Sequence, residues 1–162
     1  MLLVAAQALA GPYEDGVAAY DRGQYAAALQ SWLPLAEQGH AAAQFNVGVL
    51  YEKGLGVSQD YAQAARWYLK AAEQGDPDAQ YNVALLYETG TGVARDLDAA
   101  QKWYRAVMAN PRSDAASAAA KQRARQRIAK LSPASEDVMP YEGGRFVVTR
   151  SPTLPGSRLA AV

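Results

Sequence analysis

The sequence repeats itself at an interval of 36 residues. The segment GHAAAQFNVGVLYEKGLGV, residues 39–57, aligns with GDPDAQYNVALLYETGTGV, residues 75–93. The match continues further, because the dipeptide Trp67-Tyr68 recurs 36 positions later as Trp103-Tyr104. A fixed interval of 20 to 50 residues predicts a stack of similar units, in which each unit buries its apolar face against its neighbours.

Each unit is predicted to consist of two helices joined by a Gly-x-Gly-Val turn. Asp76 is placed to cap the first helix, and Pro77 occupies the first helical position, where its missing N–H costs nothing. The turn glycines permit positive φ, aspartates follow the turn as caps of the second helix, and a tryptophan fills the space between pairs. These repeat-defining residues are Gly54, Gly56, Asp60, Trp67, Gly90, Gly92, Asp96 and Trp103.

The duplicated units are flanked on both sides by further predicted helices. Upstream, residues 11–22 and 25–38 form a shorter pair whose turn is only Gly23-Gln24, and Pro34 is expected to kink the second helix. Downstream, one helix begins at Ser113 or Asp114 and ends before Pro133. Its polar side chains are predicted to face outward, as a terminal cap requires. They are Lys121, Arg123, Arg125, Arg127 and Lys130.

This pattern resembles the Sel1-like repeat, a relative of the tetratricopeptide repeat with a longer turn between its two helices. The resemblance implies an all-α, right-handed α-solenoid of antiparallel helix pairs over residues 11–131, with a C-terminal capping helix. Residues 132–162 hold four of the eight prolines and show no helical period, so an irregular tail is expected.

The first ten residues, MLLVAAQALA, predict a secretory signal peptide. They form an apolar run that ends in an Ala-x-Ala pattern before Gly11. The basic segment that normally opens such a peptide is missing, so an apolar helix start is the alternative. Together with the resemblance to the Sel1-like repeat, this apolar run predicts export to the bacterial periplasm. A cytoplasmic location is the alternative. No segment is apolar enough to span a bilayer.

Composition excludes several kinds of active site. The chain has no cysteine and a single histidine, His40, which excludes disulfides, thiol catalysis and the usual zinc sites. His40 is expected to cap a helix. No nucleophile–base pair or phosphate loop is present, so we expect no catalytic residue, metal or cofactor. An enzyme or small-ligand binder with an unrecognised pocket is the alternative.

Charge is distributed unevenly along the chain. Residues 1–110 hold 12 acidic and 7 basic residues, whereas residues 111–162 hold 4 acidic and 9 basic residues. The basic helix near the C-terminus raises the possibility of nucleic-acid binding. The acidic body and the absence of aromatic residues from that helix argue against it. A solvated cap is the favoured interpretation.

The resemblance implies a partner-binding groove lined by the first helix of each pair. Carried over to this chain, the groove has an aromatic and aliphatic floor and an acidic edge that favour an extended peptide with apolar and basic side chains. These residues are Phe45, Val49, Tyr81 and Leu85 on the floor and Asp21, Glu52 and Glu88 at the edge. Packing between helices is the alternative role for Phe45 and Tyr81. The chain is thus expected to be a protein-interaction scaffold.

A candidate ligand for this groove lies in the same chain. Residues 145–150, RFVVTR, place apolar side chains between two arginines. The tail could therefore occupy the acidic edge of its own groove or that of a neighbouring molecule, which would make the protein a regulatory subunit.

Overall fold

The computed structural model describes residues 11–131, which form seven α-helices and no strand. The helices are α1 Pro12–Asp21, α2 Tyr25–Glu37, α3 Ala41–Lys53, α4 Tyr61–Glu73, α5 Pro77–Thr89, α6 Leu97–Ala109 and α7 Ala115–Leu131. The all-α prediction is confirmed for this range, and α2 continues through Pro34. The predicted signal peptide and the predicted tail, including the RFVVTR segment, lie outside the described residues.

The helices pack as successive antiparallel pairs. Helix α1 packs on α2, α3 on α4, and α5 on α6, while α2 also contacts α3 and α4 also contacts α5. Helix α7 has no partner of its own within the described range and packs against both α5 and α6. The first helix of each pair and α7 therefore form one layer of the solenoid, and the second helices form the other.

Helix starts are fixed by side-chain caps at equivalent positions. The Asp60 carboxylate accepts hydrogen bonds from the N–H groups of Ala62 and Gln63, both at 2.9 Å, and the Asp96 carboxylate accepts from the N–H of Ala99 at 2.9 Å. The expected cap at His40 is confirmed, since its Nδ1 accepts from the Ala43 N–H at 3.2 Å. These bonds satisfy amide groups that have no partner inside the helix.

The start of α4 has no capping box, although Gln63 stands three residues after Asp60. A capping box would have the Gln63 side chain accept from the Asp60 N–H. That N–H instead donates to the Tyr51 carbonyl at 3.0 Å, and the Asp96 N–H donates to the Tyr87 carbonyl at 2.9 Å. Because the long turn folds back on the end of the preceding helix, the cap residue finds a backbone acceptor there and needs no reciprocal side chain.

The core is built from alanines with a few large side chains between them. Ala28, Ala43, Ala64 and Ala100 have no exposed surface, which lets neighbouring helices approach closely. Trp67 is 9% exposed and packs with the buried residues of the first two helix pairs, as predicted, whereas Trp103 is only half-buried. Its position makes Trp67 a bridge between the first pair and the second.

The Gly-x-Gly-Val turns rest on the helix pair before them. Gly56 and Gly92 have φ values of +68° and +71°, which favour glycine. A Cβ at Gly56 would collide with the backbone of Tyr25 and Ala26, and a Cβ at Gly92 would collide with the backbone at Tyr61. The second glycine is therefore required twice, once by the conformation of the turn and once by close contact with the neighbouring unit.

Candidate partner-binding site

The first helix pair is offset from the others because its turn is four residues shorter. Gly16 of α1 and Gly48 of α3 play the same part, since a Cβ at either position would collide with the ring of Trp32 or Tyr68, respectively. Trp32 and Tyr68 are 36 residues apart in the sequence, but Gly16 and Gly48 are only 32 apart. Residues of α1 are therefore equivalent to those of α3 at an offset of 32.

The alignment at an offset of 32 adds residues of α1 to the predicted aromatic and aliphatic positions of the groove floor. It also corrects one residue of the predicted acidic edge. Tyr13 joins the aromatic row of Phe45 and Tyr81, and Val17 joins the aliphatic row of Val49 and Leu85. Tyr20, and not the exposed Asp21, occupies the position of Glu52 and Glu88. The prediction of Asp21 as the third acidic residue was wrong by one position, because the shorter turn shifts the alignment.

A cavity of about 460 Å³ lies between α1 and α3, and we call it the α1–α3 groove. Phe45 and Val49, which the sequence placed on the groove floor, line this cavity, and both are half-buried. Its other lining residues, which sequence reasoning missed, are Tyr13, Val17, Tyr20, Trp32, Asn46 and Lys53. Most of the lining is aromatic or aliphatic, as in the sites that hold apolar ligand groups.

Hydrogen bonds and ring contacts hold the aromatic side chains of the groove in place. The Trp32 Nε1–H donates to the Tyr13 carbonyl at 3.0 Å, and the Asn46 amide donates to the Tyr13 hydroxyl at 3.2 Å. The Tyr13 ring also stacks on His40, with centroids 4.9 Å apart. The Phe45 ring packs 5.5 Å from the ring of Tyr68. These contacts fix the floor of the groove before any partner binds, which lowers the entropic cost of binding.

The predicted groove does not continue in the same form along α5. Tyr81 is only 8% exposed, because its ring packs against Tyr104 at 5.7 Å and the Arg123 guanidinium lies 4.6 Å from its centroid. Leu85 is half-buried on the same helix. Tyr81 therefore packs between helices, which was the alternative to a role in the groove floor.

The two glutamates predicted to line the edge have partners inside the fold. The hydroxyl of Tyr68 donates to Glu52, and that of Tyr104 donates to Glu88, each at 2.6 Å. The two carboxylates therefore have a packing role that the sequence analysis did not assign, since each one pairs with a buried tyrosine of its own unit. Burial and the bond to glutamate raise the pKa of both tyrosines.

Helix α7 supplies cations to the carboxylates of α5. Arg127 pairs with Glu88 at 3.0 Å, and Arg123 pairs with Asp78 at 2.6 Å. The prediction that all basic residues of α7 face outward was wrong for Arg127, which is half-buried because α7 lies directly against α5, whereas Arg123 stays exposed in its ion pair. Part of the charge difference between the two ends of the chain is thus neutralised by ion pairs between α5 and α7.

The tyrosine–glutamate pairs predict a loss of stability at alkaline pH. Tyrosine in an unfolded chain ionises near pH 10, whereas Tyr68 in the folded state keeps its proton to higher pH. The folded state then holds more protons, so its free energy of unfolding falls as the pH rises above about 10, by up to ~1.4 kcal/mol per pH unit for each such tyrosine. Tyr68→Phe should reduce this slope in urea titrations between pH 9 and 11.

The matched control is Tyr61→Phe, which removes an exposed tyrosine. This variant should keep the wild-type slope. At pH 7 Tyr68→Phe should cost about 1.5–3 kcal/mol, because the lost hydrogen bond is to a carboxylate. Equal slopes for wild type and Tyr68→Phe would contradict the attribution of the alkaline loss of stability to Tyr68.

The described residues hold neither a metal-binding cluster nor a membrane-spanning helix. Residues 11–131 contain no cluster of three potential metal ligands. None of the seven helices is both long and apolar enough to cross a bilayer.

Comparison with known proteins identifies the repeat. A model of the Sel1 repeat matches residues 41–76 and 77–106, which correspond to the pairs α3–α4 and α5–α6. The chain contains two Sel1 repeats. Proteins with Sel1 repeats generally act as scaffolds for protein interactions and are generally non-enzymatic. No curated protein matches the chain.

Two solved structures share the Sel1 solenoid. A Sel1 repeat protein from Oxalobacter formigenes is 38% identical in sequence and superposes with a TM-score of 0.61. The match covers 72% of this chain and 44% of the Oxalobacter protein. The protein c5321, a protective antigen present in uropathogenic Escherichia coli strains that displays an SLR fold, is also 38% identical. The match covers 62% of this chain and 22% of c5321, with a TM-score of 0.57. This chain spans less than half the length of either one.

Proposed function

We propose that this Sel1-repeat protein is a non-enzymatic scaffold that binds an extended peptide segment of a partner protein in the α1–α3 groove. The observation that carries the proposal is the groove itself, a cavity of about 460 Å³ that is lined mostly by aromatic and aliphatic side chains of α1, α2 and α3. Val17, on its rim, is 36% exposed. An apolar side chain from a partner would remove this surface from water, which favours binding.

The test is a peptide selection on the full-length chain with two matched variants. Val17→Gln places a polar group on the groove, and Leu97→Gln makes the same kind of change at an equally exposed site on α6. Phe45→Ala removes an aromatic ring that lines the groove. Selected peptides should bind Val17→Gln and Phe45→Ala at least about fivefold more weakly than wild type, as the loss of an apolar contact worth ~1 kcal/mol or more predicts.

Leu97→Gln should bind as wild type does. Circular dichroism of each variant separates a loss of binding from a loss of fold. Peptides that bind all four proteins equally would move the interaction surface away from the α1–α3 groove.

We also propose that the protein works in the bacterial cell envelope. The apolar run MLLVAAQALA and its Ala-x-Ala ending support export. If the proposal is right, the protein will be recovered from the periplasmic fraction of expressing cells, and its mass will correspond to a chain that begins at Gly11. An intact chain found only in the cytoplasm would overturn it.

A further inference from the structure

We propose that the α1–α3 groove selects peptide segments that combine an apolar side chain with a carboxylate, and that the carboxylate pairs with Lys53. The inference rests on the proposed function and specifies the chemistry of its ligand. It reverses the sequence-based expectation of a basic peptide. Two comparisons at equivalent positions of neighbouring helices, α5 with α7 and α1 with α3, lead to it.

The first comparison is between α5 and α7. Asp76 and Asp114 each cap the N–H three residues further on, at Ala79 and Ser117, so residues of α7 correspond to those of α5 at an offset of 38. Arg127 thereby corresponds to Thr89. At this position α7 presents a cation to the preceding helix, where Glu88 accepts it at 3.0 Å.

At the contact between α1 and α3 the same position carries a cation, but the preceding helix lacks the carboxylate. Lys53 corresponds to Thr89 and hence to Arg127, while Tyr20 replaces the glutamate. Both Lys53 and Tyr20 line the groove. Within residues 11–131 Lys53 forms no ion pair, and the neighbouring Glu52 is already bonded to Tyr68.

The groove therefore combines an aromatic floor with an ammonium at its edge that has no ion-pair partner among residues 11–131. A ligand carboxylate would supply the charge that Glu88 supplies to Arg127 at the other end of the solenoid. An apolar side chain next to it would enter the cavity between Val17, Phe45 and Val49. The basic RFVVTR segment of the chain's own tail has the wrong charge for Lys53, which disfavours it as the occupant.

The experiment uses three synthetic libraries of twelve-residue peptides that share the same apolar positions. Their remaining positions carry Asp and Glu, Lys and Arg, or Ser and Asn. Immobilised full-length protein should retain the acidic library best. Lys53→Glu should weaken binding of a retained acidic peptide at least about tenfold at low salt, and this loss should shrink at 0.5 M salt, as screening of an exposed charge requires.

Two control variants make the result specific. Lys102→Glu introduces the same charge change on an exposed residue of α6 outside the groove and should bind as wild type does. Asp21→Asn should bind acidic peptides at least as well as wild type. Weaker binding of a basic peptide to Asp21→Asn, with no effect of Lys53→Glu, would overturn the inference in favour of a basic ligand.

The remaining outcomes separate the inference from the proposed function. Equal retention of the three libraries, with binding that Val17→Gln still weakens, would overturn the charge preference and leave the groove as the binding site. Retention that neither Val17→Gln nor Lys53→Glu affects, or no retention at all, would overturn both.

Discussion

Trp67→Ala is expected to lower the free energy of unfolding by about 3–5 kcal/mol, the usual cost of removing a large buried aromatic ring. Trp67 is 9% exposed and packs among buried residues that include Trp32 of α2 and Val47 of α3. Its removal would leave a cavity at the junction of two helix pairs. Since small domains have a total stability of about 5–15 kcal/mol, the loss would be a large part of the whole.

The cavity should also reduce the coupling between units. In a solenoid, stability is the sum of the units' own stabilities and the contacts between neighbours, so a weakened contact lets one pair unfold before the rest. Urea titration followed by circular dichroism gives the total loss. Trp32 and Trp103 remain as fluorescent probes of the first and third pairs, and their transitions should separate in the variant.

Trp103→Ala is the matched comparison, because it removes the same ring from the equivalent position of the next unit. Trp103 is only half-buried, so its loss should be smaller, about 1–3 kcal/mol. A loss below about 1 kcal/mol for Trp67→Ala would mean that the ring contributes little to the core. Equal losses for both variants would show that the difference in burial has no energetic consequence.

Local signals in the sequence predicted most of the fold. Caps such as Asp60 and C-terminal glycines such as Gly54 act within a few residues of their own position, so their meaning does not depend on the rest of the structure. Trp67 was placed in the core by the period of the apolar residues around it. The exact repeat then indicated that these helices stack, which periodicity within one helix cannot do.

The errors at the candidate site came from contacts between elements. The bond between Glu52 and Tyr68 joins residues 16 positions apart on two helices, and a repeated glutamate in the sequence carries no sign of it. The position of α7 against α5, which brings Arg127 to Glu88, was likewise not predictable from the outward charge of a capping helix. The alignment of α1 failed because residue counting ran through a turn of different length.

A repeated polar residue could have given a better signal. Gln44 and Gln80 match in the two units and are buried, and their side chains donate to the carbonyl groups of Ala36 and Ala72. Each glutamine thereby satisfies the open C-terminal end of the preceding helix. The same logic applies to Glu52 and Glu88: a polar side chain that recurs at the period of the fold is evidence for a contact within the repeat before it is evidence for a binding site.

Gly92→Ala is expected to lower the free energy of unfolding by about 2–5 kcal/mol, because two costs combine at this position. The residue has a φ of +71°, which strains any side chain, and the added Cβ would collide with the backbone at Tyr61 of the preceding unit. A backbone atom cannot swing aside as a long side chain can. The turn would have to lift from α4, and the contact between units would open.

Gly75→Ala separates the two costs. Gly75 has a φ of +84°, but a Cβ there would meet no atom within 4 Å, so only the strain of the backbone remains, about 1–2 kcal/mol. Gly56→Ala, at the equivalent turn on the first pair, should resemble Gly92→Ala and not Gly75→Ala. If urea titrations gave the same loss for all three variants, the close contact between turn and neighbouring unit would have no part in holding the Sel1 repeats together.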